Sequence, residues 1–340
     1  MIDYNSEAPQ ILRDFLAYHE TILGHSRRTV DEYFLDLRNF FRYLKQLRTP
    51  SLRAVPAEEI SIMDVDLDFV KKVTLTDLYG YMTYLSRDRI QHPNSDHSEH
   101  GLNAASRARK IATIRSFYKY LTSKVHLLEE NPVKDIDSPK LKKTLPKYLT
   151  LDESVHLLDS VAGMNQERDY CILTLFLNCG LRISELVGLN LSDIHGDALR
   201  ILGKGNKVRI VYLNDACKAA LEQYLSVRRP IAGRDASALF LSAQNERISR
   251  SGVHAMVKKR LLEAGIDATQ YSSHKLRHTA ATLMLQNGVD VRAVQEVLGH
   301  EHLNTTEIYT HIDNDSLRVA AKANPLSHVS RKTPNKKDTP

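Results

Sequence analysis

Apolar and polar positions recur along this chain with two different periods, and the places where the period changes or fails divide it into parts. In SRRTVDEYFLDLRNFFRYL, Val30, Tyr33, Leu37, Phe40, Phe41 and Leu44 return at three- and four-residue steps, which predicts a helix with one buried face. Further helices are expected near LTDLYGYMTYL and across AASRARKIATIRSFYKYLTSK, with residues 46–73 and 86–101 reading as long polar loops. Residues 1–130 are therefore expected to form a small helical domain. The stretch NPVKDIDSPKLKKTLPKYLT breaks the pattern: each of its prolines removes an amide donor and biases the preceding residue toward an extended conformation. Residues 131–147 read as a linker.

Periodicity resumes beyond it in a second domain, residues 148–326. Thr150 and Glu153 stand at capping-box spacing before a helix to about Ala162. ERDYCILTLFLNCG is almost wholly apolar and predicts a buried helix closed by Gly180, a residue free to take the left-handed conformation. LRISELVGL then starts a short helix with Arg182 and Glu185 three apart on one face. In DIHGDALRILGKGNKVRIVYL the pattern shifts to short β-rich runs around His195–Asp197 and Gly203–Lys207, which predicts a three-stranded sheet with Lys204 at the tip of a turn. Helices follow at about 215–228, 249–264, 275–287 and 290–298. The fold class is mainly α with a small three-stranded β-sheet, and residues 327–340 read as a basic flexible tail.

Composition permits two cores in 340 residues, and charge narrows the partners. Lys and Arg exceed Asp and Glu by 47 to 41, a net charge of +6. From Ala104 to Lys147 eleven basic residues face four acidic ones, so this stretch alone carries +7 and the surplus is local. Arg107, Arg109, Lys110, Arg115 and Lys119 share a helix with Phe117, Tyr118 and Tyr120, a pattern suited to a helix laid against phosphates while its other face packs. Lys142 and Lys143 extend the basic surface into the linker. There is no stretch of ~18 apolar residues to span a bilayer and no basic-plus-apolar leader, so a soluble, cytoplasmic protein is expected. Cys171, Cys179 and Cys217 suit neither a disulfide framework nor a metal knuckle and read as reduced packing residues.

The densest chemistry lies in SSHKLRHTAAT. His274 and His278 have the i, i+4 spacing of a zinc helix, but Lys275 occupies the position of the general-base Glu, and no carboxylate or cysteine cluster supplies further ligands. His278 reads as an ordinary packed residue. GKGNK lacks the spacing of a phosphate-binding loop and precedes a strand. What stands out is a conjunction: Arg182, Lys204, His274, Arg277, His300 and Tyr309 fall at the ends or turns of separate elements, where sites are assembled. Two guanidiniums can brace the oxygens of a phosphodiester, and a phenol among cations can attack phosphorus.

At these residues the chain resembles the tyrosine recombinase, or phage integrase, family. GLRISEL (180–186), GKGNKVR (203–209), HKLRHTAAT (274–282) and LGHEHLNTTEIYTH (298–311) agree in order, spacing and flanks, and the similarity runs from about residue 8 to 326, nearest to bacterial Xer-like recombinases. Ser273 departs from the family, where many members have proline, and the loops of the N-terminal domain look longer. The resemblance implies a helical core-binding domain and a catalytic domain that clamp double-stranded DNA at paired half-sites. It further implies that Arg182 and Arg277 hold the scissile phosphate while Tyr309 attacks it, leaving a 3′-phosphotyrosyl bond. Lys204 would protonate the 5′-oxygen, His274 would act in proton transfer, His300 would position the phosphoryl group, and Glu185 would support the site. No cofactor or metal is implied. Four protomers, of one kind or two, would assemble on DNA, with a second recombinase or accessory factor as a candidate partner. Chromosome-dimer resolution at cell division and mobile-element integration share all these residues. A type IB topoisomerase would use nearly the same set, whereas a non-enzymatic DNA-binding regulator would have no use for Tyr309 with both arginines.

Overall fold

The computed structural model of the chain describes residues 2–91, 99–140, 147–203, 207–233, 235–299 and 322–329. It divides into two compact units, Met1–Thr144 and Leu145–Pro340.

The first unit contains α1 (Tyr4–Glu7), α2 (Gln10–Ala17), α3 (Arg27–Arg48), α4 (Leu67–Lys71), α5 (Leu75–Arg87) and α6 (Ala104–Ser123). Caps fix their starts: Ser26 accepts from the Thr29 amide, Asn103 from the Ser106 amide, and Thr74 with Asp77 forms a capping box. The apolar stripe of α3 packs as its spacing predicts, with Val30, Leu37, Phe40, Phe41 and Leu44 buried. Phe34 joins them, while Tyr33 lies at the margin and stacks on Phe15. Phe15, Phe117 and Tyr118 complete an aromatic centre shared by α2, α3 and α6.

Both expected loops contain regular structure among the described residues. Residues 46–73 hold 3-10 turns at Pro50–Leu52 and Ala57–Glu59 and then α4, and they bury Ile60, Ile62, Val65, Val70 and Val73. Arg42 and Lys45 of α3 bind their carbonyls at Glu58, Ile60 and Ser61, giving the backbone the partners that a helix would have supplied. Residues 86–101 contain the end of α5 and a short antiparallel ribbon, β1 (Ile90–Gln91) with β2 (Glu99–His100).

The second unit builds on α7 (Leu151–Asp159), α8 (Gln166–Cys179), α9 (Ile183–Gly188), α10 (Asp215–Val227), α11 (Arg250–Glu263), α12 (Ser273–Gln286) and α13 (Val291–Leu298). The capping box of Thr150 and Glu153 starts α7, which stops three residues short of Ala162. From Asp169 to Cys179, α8 is buried on every side, and it packs against α10 and α12. The mainly α composition with a small three-stranded sheet is as the pattern implied: β3 (Ile194–His195), β4 (Ala198–Leu202) and β5 (Val208–Tyr212) form an antiparallel meander, with Leu199 opposite Val211 and Leu202 opposite Val208. Leu199, Ile201 and Val211 face the core.

Cys171, Cys179 and Cys217 are buried and free, as their placement suggested, and the Cys217 sulfur lies 3.7 Å from that of Cys179. One reading of this unit needs correction. The chain beyond residue 326 does not become a free tail at once. A 3-10 turn at Pro325–His328 seats Leu326 and Ser327 in the core, and Val329 packs against the same cluster.

Candidate active site

The site starts where α8 ends. Gly180 takes the left-handed conformation, φ 58°, and turns the chain so that Leu181 is buried and Arg182 becomes the N-cap of α9. Glu185 sits three residues on, and its carboxylate accepts from the Arg182 amide at 2.7 Å. A buried carboxylate at a helix N-terminus is favoured by the unpaired amides there. Here it does more, because arginines from three elements meet around it.

Glu185 Oε1 accepts from Arg182 Nη1 at 2.8 Å and from Arg209 Nη1 at 2.7 Å, and Oε2 accepts from Arg209 Nη2 at 2.9 Å in addition to the Arg182 amide. Arg277 Nη1 lies 3.9 Å from Oε2, an ion-pair distance without a hydrogen bond. It donates instead to the Gly180 carbonyl at 2.6 Å, and its Nη2 donates to the Leu298 carbonyl at 2.7 Å. Arg182 Nη2 reaches the Gly299 carbonyl at 2.9 Å. Both guanidiniums are thus held by carbonyls at the C-terminal ends of α8 and α13, groups that have no acceptor role left within their helices. Each arginine has five N–H donors, so each keeps donors beyond these contacts.

The charge balance favours an anion. Three guanidiniums surround one carboxylate, leaving an excess of two positive charges. Burial, followed by repulsion from Arg182, pulls the Arg277 pKa down to about 10, so it remains charged at neutral pH but at a cost. Burial alone would raise the Glu185 pKa. Hydrogen bonds from Arg209 and Arg182 outweigh it and hold the carboxyl below its usual range. A phosphodiester placed against Arg182 and Arg277 would neutralise what the fold leaves unbalanced.

Of the residues expected in the site, Arg182, Glu185 and Arg277 are brought together. His274 lies exposed in the first turn of α12, one helical turn before Arg277. His278, partly buried, has its pKa lowered by burial and by Lys275 and His274, consistent with an ordinary packed histidine. Lys204, His300 and Tyr309 lie outside the described residues.

Arg209 was not anticipated, although the sequence carried a signal. In β5, Val211 faces the core, so the period of two places Arg209 on the same inward side. Gly299 makes room for it: a Cβ there would stand 3.0 Å from Arg209 Cδ and Nε.

The basic helix α6 divides differently from the expectation. Lys110 is a correction, since it is buried and its Nζ donates to Asp36 at 2.6 Å. Asp36, itself buried on α3, also accepts two bonds from Arg109 and one from Thr113. Lys110 is therefore the partner of a core carboxylate and cannot face phosphate. Arg109 remains 47% exposed but is tied to Asp36 and Glu32. Arg107 is half-buried, and Arg115 donates to Ser138 at 3.0 Å. Lys142 and Lys143 lie outside the described residues.

Residues 147–316 match the phage integrase family. The chain is 48% identical over 320 residues to the tyrosine recombinase XerC of Caldanaerobacter subterraneus subsp. tengcongensis, covering 94% of this chain and 88% of that protein. It is 36% identical over 320 residues to XerC of Myxococcus xanthus, covering 91% and 95%. Among solved structures, the XerH site-specific recombinase bound to palindromic difH substrate in a post-cleavage complex shares the fold. Its TM-score is 0.58 at 21% identity, covering 92% of this chain and 94% of that one. A lambda integrase (75–356) dimer bound to a COC′ core site superimposes with TM-score 0.56 at 17% identity, covering 89% and 99%.

Proposed function

Because the chain belongs to the phage integrase family and is a tyrosine-type site-specific recombinase that cuts and rejoins DNA, we propose a role for each residue of the site. Arg182 and Arg277 clamp the non-bridging oxygens of the scissile phosphate. Tyr309 attacks phosphorus, the bond to the 5′-oxygen breaks, and a 3′-phosphotyrosyl ester and a free 5′-hydroxyl remain. His274 takes part in moving the phenol proton, Lys204 gives a proton to the leaving oxygen, and His300 orients the phosphoryl group. One phosphate ester replaces another, so no ATP or redox cofactor is required. The 5′-hydroxyl of a partner strand reverses the step, which exchanges strands without hydrolysis.

The observation that supports this most is the pairing of Arg182 with Arg277 around Glu185. Residues more than ninety positions apart are held on backbone carbonyls with donors to spare and with positive charge in excess. Arginine suits this task because its planar fork matches two phosphate oxygens at once.

By the same reading, the DNA-binding domain extends past residue 130, since Val133 and Ile136 of the expected 131–147 linker are buried in its core, and the catalytic domain begins at 148 and runs to 329 in place of 326. The substrate is double-stranded DNA with paired half-sites. Four protomers, identical or shared with a second recombinase, assemble on it in the cytoplasm. The Xer-type relatives favour resolution of joined chromosomes over integration of a mobile element as the role.

The test is a nicked suicide duplex carrying the half-site that the protein selects from a randomised pool. Wild type should form a covalent adduct that maps to Tyr309 and survives EDTA. Tyr309→Phe should bind the duplex and form none. An adduct at another residue, or cleavage that requires Mg²⁺, refutes the assignment.

A further inference from the structure

The reaction as proposed leaves Arg209 without a part. Its side chain is nevertheless held on two sides. Both terminal nitrogens bind the two oxygens of Glu185, at 2.7 and 2.9 Å, in the bidentate geometry that only arginine offers. Its Nε is buried and has no hydrogen-bond partner among the described residues, and its aliphatic end and Nε lie against Gly299. Two of its five N–H groups are thus committed to Glu185.

The consequences run through Glu185. Four hydrogen bonds fill the carboxylate, two from Arg209 and two from Arg182. Without Arg209, half of them disappear, and a carboxylate that burial already disfavours is free to rotate about its last torsion or to draw in Arg277, 3.9 Å away. Either movement would displace an arginine of the phosphate clamp. Arg209 also belongs to β5, whose entry is fastened by the Gly203 amide donating to the Lys207 carbonyl at 2.7 Å, and it abuts Gly299, whose carbonyl holds Arg182. One side chain thus ties the sheet, the start of α9 and the end of α13 into one frame.

We propose that Arg209 is a positioning residue for phosphodiester cleavage: by locking the Glu185 carboxylate in a bidentate pair and packing against Gly299, it fixes the direction in which Arg182 presents its remaining N–H groups. The inference rests on the reading of Arg182 as half of the phosphate clamp. In this proposal Arg209 acts through Glu185 and Arg182, to which its described hydrogen bonds lead.

The measurement is the single-turnover rate of covalent adduct formation on the nicked suicide duplex, beside the equilibrium Kd for the intact half-site. Arg209→Ala and Arg209→Gln should slow cleavage roughly 10- to 100-fold, the cost of a misplaced reacting group. Their half-site Kd should change less than about threefold, because a group that acts only on the transition state lowers the rate and not the binding. Arg209→Lys should restore only part of the rate, since a single ammonium cannot span both oxygens. In an Arg182→Lys background, Arg209→Ala should cost less than about threefold more, because residues that act through one another are not additive.

A wild-type rate in Arg209→Ala overturns the inference, and so does full additivity with Arg182→Lys. A loss of Kd that matches the loss of rate does the same, because it makes Arg209 a binding or purely structural residue. Should Arg209→Ala fail to fold by circular dichroism, Arg209→Gln decides by the same criteria. A wild-type protein that forms no adduct removes the clamp reading and this inference together, whereas a wild-type adduct with unimpaired variants removes this inference alone.

Discussion

Arg277 donates to the carbonyl oxygen of Gly180 at 2.6 Å, joining the second turn of α12 to the C-cap of α8 across 97 positions of sequence. The bond exists because Gly180 is left-handed and aims its carbonyl out of the helix end, and because Arg277 is buried deeply enough to need an acceptor. A Cβ at Gly180 would collide with the end of the Leu298 side chain, while Ala280 and Arg277 would be in ordinary contact with it. Gly180→Ala should therefore cost more than about 1 kcal/mol through the positive φ alone. It should slow adduct formation beyond what the loss of fold explains. Urea denaturation together with single-turnover cleavage at a temperature where the variant remains folded checks both. Unchanged cleavage would show that Gly180 matters only for packing.

The buried cluster on α6 yields a prediction that separates stability from DNA binding. Asp36 is almost wholly buried and is the acceptor for Lys110, Arg109 and Thr113. Asp36→Ala strands the Lys110 ammonium in the core, and breaking one side of a buried pair costs about 3–5 kcal/mol. Lys110→Met should leave the salt dependence of duplex binding unchanged. Arg115→Ala, if Arg115 exchanges Ser138 for a phosphate, should reduce the log–log slope by about 1. Titrations at several salt concentrations read the slopes directly. A reduced slope in Lys110→Met would return that residue to the DNA interface.

Much of this was legible because it is local. Thr150 with Glu153, Gly180 at a helix end and the period of two in the sheet each follow from a few neighbouring residues, and each is found where the pattern put it. Local pattern fails where a partner is remote. Lys110 looks like one more charge on a basic helix until Asp36, 74 positions earlier, is placed beneath it. Arg209 looks like a polar strand residue until Glu185 is brought against its inward face. Residues 46–73 look like loop because Ile60, Ile62, Val65, Val70 and Val73 follow no single period, yet all are buried beside α3 and its neighbours. Of the expected site, Lys204, His300 and Tyr309 lie outside the described residues, and the described geometry bears on Arg182, Glu185 and Arg277.

Acid should destabilise the first unit through His19. This side chain is buried, with Nδ1 3.1 Å from His25 Nδ1 and Nε2 3.2 Å from Ser116 Oγ, enclosed by Phe15, Tyr18 and Tyr33. Burial, and then the charge of His25, lowers its pKa from 6.5 to about 4. Between these values the unfolded chain binds a proton that the folded chain refuses. Stability is therefore complete above about pH 6.5 and declines as pH falls toward 4, by at most on the order of 3 kcal/mol. His19→Gln cannot take up the proton and should flatten that decline. Urea midpoints at pH 7 and pH 4.5 for both proteins provide the comparison. An equal decline in the variant would assign the acid sensitivity to other groups.

The chain after Tyr309 gives the last prediction. Residues 300–321 lie outside the described residues, but the segment that follows them is anchored on its own unit. Asn324 donates to the Leu177 carbonyl at 3.0 Å and accepts from the Leu326 amide at 2.9 Å, Asn287 donates to the Ala323 carbonyl, and Leu326 is fully buried among the side chains that surround α8. Deleting residues 314–340 would therefore remove a piece of the core along with any contact made to a neighbouring protomer, so loss of activity in that deletion would not distinguish the two. Cutting after Val329 should leave Tm and duplex binding as in the full chain. Cutting before Lys322 should lower Tm sharply, and Leu326→Ala alone should cost about 2–5 kcal/mol, the range for emptying a buried leucine site. Comparing the full chain with the form cut after Val329, which keeps this seat, on one-half-site and two-half-site duplexes reads what residues 330–340 add to assembly. If the shorter protein keeps the full-length Tm, the seat of Leu326 contributes nothing to the fold, and the segment is free to serve a partner.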